Sequence, residues 1–205
     1  MNRIYVLFLT AMLTGGSSIS PNVSAIQSRA TADSFRPWLS CQFDDGLEII
    51  QTERLPKKAD RFRIVKTDKG EERVSRIDGY RVMFRYPETD YFFANVKVEQ
   101  SNPQEYAKDK EIVIEGIKHV AAADKNQVVN RTYNDFVSYG TVDSVLDRQG
   151  VIGVYVLFSD NDQQIVSIYL LNQGRRHRRF NTIDEFRALR DSFLNRYTSC
   201  ARTKH

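Results

Sequence analysis

Hydrophobic and polar residues alternate along much of this chain. From Arg61 to Thr67, and again from Glu72 to Ile77, apolar positions trade places with charged ones, and a turn signal, Thr67 to Gly70, lies between them. A period of two marks a strand with one wet face, so both stretches are expected in a sheet open to water on one side. Tyr80 to Tyr86 follows and is stopped by Pro87; Phe92 to Glu99 alternates once more. Asp45-Gly46 and Asp78-Gly79 are dipeptides favoured in tight hairpins.

At Asn102-Pro103 the period changes. A side-chain cap followed by proline at the first helical position starts a helix, and Tyr106, Val113, Ile117 and Val120 form its expected buried stripe. Phe136 to Val142, Val151 to Phe158 and Ile165 to Leu171 then read as three strands. The middle one is apolar on both faces, which predicts a central strand covered on both sides. Ser159 to Gln163 is the turn after it. Thr182 to Glu185 is a capping box that opens a last helix, with Ile183, Phe186, Leu189, Phe193 and Tyr197 on one face. No internal repeat and no linker divides the chain. The pattern predicts an α+β fold, an antiparallel sheet flanked by helices as an α/β/α sandwich, in a single domain over residues 38–205.

A strand ending in Phe84-Arg85-Tyr86-Pro87, the segment Ala94-Asn95-Val96-Lys97-Val98, a helix, three antiparallel strands and a closing helix follow one another from about Gly79 to Tyr197. This order resembles the PsbP-like superfamily of α/β/α sandwiches. The resemblance implies a non-catalytic accessory or binding protein, since that superfamily consists mainly of such proteins, among them photosystem extrinsic subunits and nuclear-transport binding factors. The chain departs from it in the extension from Trp38 to Asp78 and in its cysteine pair, and no functional residue carries over.

The first residues alter the picture. A positive start at Arg3, an apolar run from Ile4 to Leu13 and a small-residue exit ending at Ala25 predict a secretory signal peptide over 1–25. The apolar run is about half of the roughly 20 residues a membrane span needs, so the alternative is an uncleaved anchor. Residues 26–37 are small and polar and are expected to be a flexible N-terminal segment. The protein is therefore expected in the periplasm or outside the cell, with no transmembrane segment in its mature form. In that oxidising setting the two cysteines, Cys41 and Cys200, are expected to pair, the alternative being two buried thiols.

Charge is unevenly spread. The formal net charge is +4, yet from Arg175 onward nine basic residues face only Asp184, Glu185 and Asp191. Arg175, Arg176, His177, Arg178 and Arg179 lie just before the last helix, whose positive end favours anions. Four arginines this close cannot be buried together, so the stretch is expected at the surface. It is either a solvated loop or a salt-sensitive contact for an acidic protein, an anionic lipid or a polysaccharide. Nucleic acid is not an expected partner of an exported protein.

Chemistry is sparsely signalled. Three histidines with no paired spacing predict no metal site, no phosphate-cradling glycine loop predicts no cofactor, and no nucleophile elbow marks a catalytic residue. Asp44, Asp45 and Glu48, like Asp160 and Asp162, lie in turns where acids bond locally. Tyr91, Phe92 and Phe93 are candidates for a ligand-contacting lip, against the plainer role of sheet packing. Asn130-Arg131-Thr132 matches the glycosylation pattern. The sequence reads as an exported, non-catalytic binding or accessory protein. A hydrolase acting on an envelope or extracellular polymer is the alternative, and a dimerisation module a third reading.

Overall fold

Strand β5 (Phe92–Gln100) sits near the middle of a seven-stranded sheet whose order explains the rest of the chain. The computed structural model describes residues 34–56, 61–88, 92–123, 126–141, 150–172 and 179–202. The predicted signal peptide lies outside them. The large sheet runs in the order β1 (Glu48–Arg54), β4 (Asp78–Arg85), β5, β9 (Gln164–Asn172), β8 (Gly150–Ser159), β7 (Phe136–Thr141), β6 (Val128–Tyr133). Every neighbouring pair is antiparallel. A separate hairpin, β2 (Phe62–Thr67) and β3 (Gly70–Ser75), leaves the sheet between β1 and β4. With α1 (34–39), α2 (Tyr106–Ala123) and α3 (Ile183–Arg202), the chain is a single α+β domain.

Parity along each strand divides the side chains between two cores. Val82, Phe84, Ala94, Val96, Val98, Val166, Ile168 and Leu170 point to one face, where Phe186, Phe193, Leu194 and Tyr197 of α3 meet them. Phe193 is the hub: Phe84, Phe93 and Tyr197 hold their rings 5.3–5.6 Å from it, edge-on or stacked, each contact adding to area burial. Val156, Phe158 and Ile165 have the opposite parity and pack on Ile112, Val113 and Ile117 of α2, with Val74 of the hairpin beside them. Strand β8 therefore contributes to both cores, as its doubly apolar sequence predicts.

Several expectations need correction. Residues 34–37 are helical rather than flexible, because Phe35 and Trp38 are fully buried in the α3-side core and draw α1 onto it. Asp78-Gly79 is not a hairpin turn but the start of β4. Asp78 takes an ion pair from Arg54, and Gly79 passes so close to β5 that a Cβ there would lie 3.0 Å from the Val98 carbonyl. Asp45-Gly46 does turn the chain, with Gly46 at φ +82°, but among the described residues no strand precedes it. Val120 is 41% exposed, and Ile112 and Ala121 complete the buried face of α2 in its place. Strands β1 and β6 show no period-two pattern because both are edges whose side chains are mostly exposed or half-buried.

Both helix starts follow their local chemistry. The Gln104 amide donates to the Asn102 side chain at 3.1 Å in the turn 103–105 that leads into α2, which begins at Tyr106 and not at Pro103, and the Glu185 amide donates to the Thr182 hydroxyl at 3.2 Å at the start of α3. Glu185 in turn accepts from the Asn181 amide at 2.6 Å, one residue before the cap position a capping box would use.

Candidate functional site

The α2-side face of the sheet is only partly covered. Helix α2 lies over β6, β7 and β8, with Ile165 of β9 in the same core, and the hairpin reaches β5 through the Arg63–Glu99 ion pair, while β4 and β5 present a row of largely polar side chains with opposite parity to the α3-side core. On β4 these are Arg81, Met83 and Arg85, and on β5 Asn95 and Lys97, all half-buried. Strand register aligns them across the sheet. Glu53, Arg81, Lys97 and Ser167 form one cross-strand row, and Gln51, Met83, Asn95 and Tyr169 the next.

Arg81 and Lys97 are directly opposed. Side chains so placed have Cβ atoms about 5 Å apart, and like charges at that spacing destabilise a sheet. The available counter-charges are largely committed elsewhere. Glu99, buried, holds Arg63 at 2.9 Å and Arg76 at 3.4 Å. Glu53 reaches Arg81 only at 3.6 Å from the exposed edge. Among the described residues neither Lys97 nor Arg85 forms an ion pair, although Glu48 stands opposite Arg85 in the register. The Nε atoms of Arg81 and Arg85 and the Oδ1 atom of Asn95 are buried without a hydrogen-bond partner. Burial pulls the Lys97 pKa below the usual lysine range; Arg81, Arg63 and Arg76 push it the same way, against Glu99. The Lys97 ammonium lies 5.2 Å from the centre of the Tyr169 ring, a cation–π contact that takes up part of its charge.

The residues singled out in the sequence fall in different places. Cys41 and Cys200 lie at disulfide distance, with Cα atoms 5.6 Å apart and a sequence separation of 159. Arg175, Arg176, His177 and Arg178 lie outside the described residues, as does Tyr91. Arg179 stacks 4.1 Å over the Tyr86 ring and holds Glu88 at 3.3 Å. Phe93 cannot belong to a lip, because it is buried with its ring against Tyr86 and Phe193, whereas Phe92, of opposite parity, is half-buried. Asn130 is exposed on edge strand β6.

The aspartates of the turns have structural partners, whereas Glu48 lies in β1. Asp45 accepts from Arg196 at 2.6 Å, Tyr86 at 3.2 Å and the Leu47 amide at 3.2 Å; burial alone would raise its pKa, but these partners hold it below the usual range. Asp160 accepts from Tyr106 and Lys110, and Asp162 from Ser159. The buried Asp109 ties three segments together, accepting from the hydroxyls of Ser75 and Ser101 and from the Ser75 amide at 3.1 Å. It borders a cleft of about 460 Å³ between the hairpin and α2, lined also by Arg61, Arg73 and Lys108. No group of three or more potential metal ligands occurs among the described residues. No described helix is long and apolar enough to cross a membrane.

No family model, curated protein or solved structure matches the chain. Its function must therefore be argued from the cationic face itself.

Proposed function

We propose that the protein is an exported, non-catalytic binding or accessory protein that uses the open sheet face to engage an acidic ligand or surface. The observation that carries this reading is the direct opposition of Arg81 and Lys97 on a half-buried sheet face. A sheet gains nothing from that pair, whereas an acidic group placed over it would replace repulsion with two charge-assisted contacts. The placement of α1 and α3 on one face and α2 on the other supports an α/β/α sandwich, and with it the PsbP-like reading. Export is supported by the apolar N-terminal run and by the paired cysteines.

The test is retention on a polyanion matrix. Wild type is expected to need more salt for elution than a variant with Arg81, Arg85 and Lys97 all changed to Gln, because salt competes with contacts between charges that keep partial access to solvent. A second variant, with Arg175, Arg176, Arg178 and Arg179 changed to Ser, measures the share of the arginine stretch. Equal elution salt for wild type and the sheet-face variant would remove the face from the function.

A further inference from the structure

The row Glu53, Arg81, Lys97, Ser167 contains more than a diffuse positive surface. We infer that Arg81 and Lys97 form a seat for a single oxyanion, the carboxylate or phosphate group of a small ligand, flanked by Ser167. The inference rests on the reading of the open face as the binding surface and narrows it to one stoichiometric site.

Geometry carries it. Two cations on neighbouring strands, about 5 Å apart at Cβ, can both reach the oxygens of one small anion held between them. Ser167, the register partner of Lys97 on β9, carries a buried hydroxyl on the same face, at the inner end of the row. The protein's own acids only partly occupy the seat: Glu99 is shared by Arg63 and Arg76, and Glu53 meets Arg81 at 3.6 Å from the exposed edge of the sheet, a contact an incoming anion would compete with. Half-burial matters as much as charge. A contact made where solvent is partly excluded is screened less than one on an open loop, so it gives a defined affinity and not only salt-dependent stickiness. Arg85 lies four residues along β4, about 13 Å away at the rise of a strand, too far to share the same small anion. The cleft beside α2 is a weaker candidate, since Arg61, Arg73 and Lys108 around it are all exposed.

Titration of the whole protein with sodium phosphate, sodium acetate and sodium galacturonate, at constant ionic strength set with chloride, tests the seat by calorimetry and by amide chemical shifts. Saturable one-to-one binding is expected, with shifts centred on residues 81, 97 and 167. The tighter of phosphate and the two carboxylates names the source of the oxyanion. Arg81→Gln and Lys97→Gln should each weaken binding about tenfold to a hundredfold, the usual range for losing a hydrogen bond to a charged group. Arg187→Gln, on α3 where the side chain pairs with Asp184, should leave it unchanged. Neither sheet substitution removes a core side chain, and unchanged amide spectra elsewhere would show that the fold is intact. Wild type that binds no probe saturably, or sheet variants that bind like wild type, would overturn the inference. If polyanion retention still depends on the sheet face in that case, only the single seat is lost; if that dependence is also absent, the broader reading falls with it.

Discussion

The hydroxyl of Tyr197 donates to the main-chain carbonyl of Trp38 at 2.9 Å, in the buried space between α3 and α1. The Trp38 indole donates in turn to Gln164 at 2.9 Å, so one residue is tied to the closing helix and to the first residue of β9. Replacing Tyr197 by Phe would leave a buried carbonyl without that donor, at a cost of about 1–3 kcal/mol in unfolding free energy measured with urea. Trp38 is the only tryptophan, so its emission reports the docking of α1 directly. A red shift in the variant before global unfolding is expected; an unchanged spectrum and midpoint would show that the hydroxyl contributes nothing.

The cysteine pair should be oxidised in the exported protein. A bridge closing a loop of this length is worth up to about 5 kcal/mol in the chain-entropy treatment. Thiol titration of the denatured, unreduced protein is expected to find none free, and reductant is expected to lower the denaturation midpoint. Two titratable thiols per chain would contradict this.

Sequence legibility followed local chemistry closely. The caps at Asn102 and Thr182, the turn at Gly70 and the apolar β8 could be read because each signal is contained within a few residues. Edge strands β1 and β6 could not, since a strand that buries little carries little hydrophobic pattern. The opposition of Arg81 and Lys97 depends on the β4–β5 register, which no local motif encodes. The α1 turn was missed for a similar reason: Phe35 and Trp38 look exposed in a polar segment until α3, far along the chain, arrives to cover them.

Gly140 should tolerate no side chain. A Cβ there would fall 2.2 Å from the Tyr155 ring, and that ring is buried with its hydroxyl accepting from Arg190 at 3.2 Å. Gly140→Ala is expected to lose about 1–3 kcal/mol, the usual range for overpacking, read from denaturant midpoints. Loss of less than half a kcal/mol would mean that Tyr155 moves freely.

Alkaline pH should destabilise the fold earlier than lysine titration alone would. Burial, reinforced by Asp45 for Tyr86 and by Asp191 for Tyr133, pushes both phenols up to about 12. The native state thus holds protons that the unfolded chain releases near pH 10, so this stabilisation is complete below pH 10 and lost as pH rises towards 12. Denaturant midpoints measured from pH 9 to 12 should fall over that window, and less steeply in Tyr133→Phe. A flat profile would show that neither phenol is protected.

Lys97→Met should raise stability. It relieves the opposition to Arg81 and keeps the packing on Tyr169, a gain of about 0.2–1 kcal/mol on the scale of cross-strand pairs. A more stable protein that has lost its ligand would mark Lys97 as a residue kept at the expense of the fold. A decrease in stability would mean that the ammonium is better accommodated than its neighbours suggest.

The link between Cys41 and Cys200 also has a mechanical side. It joins the chain seven residues after the start of α1 to the last turn of α3, so the described polypeptide is a loop with two short tails. Tension applied to those tails would pass from sulfur to sulfur and never load the hydrogen bonds of the seven-stranded sheet. A protein tethered at both ends would then keep its open face undistorted under pull, and only a reductant would expose the sheet to the strain.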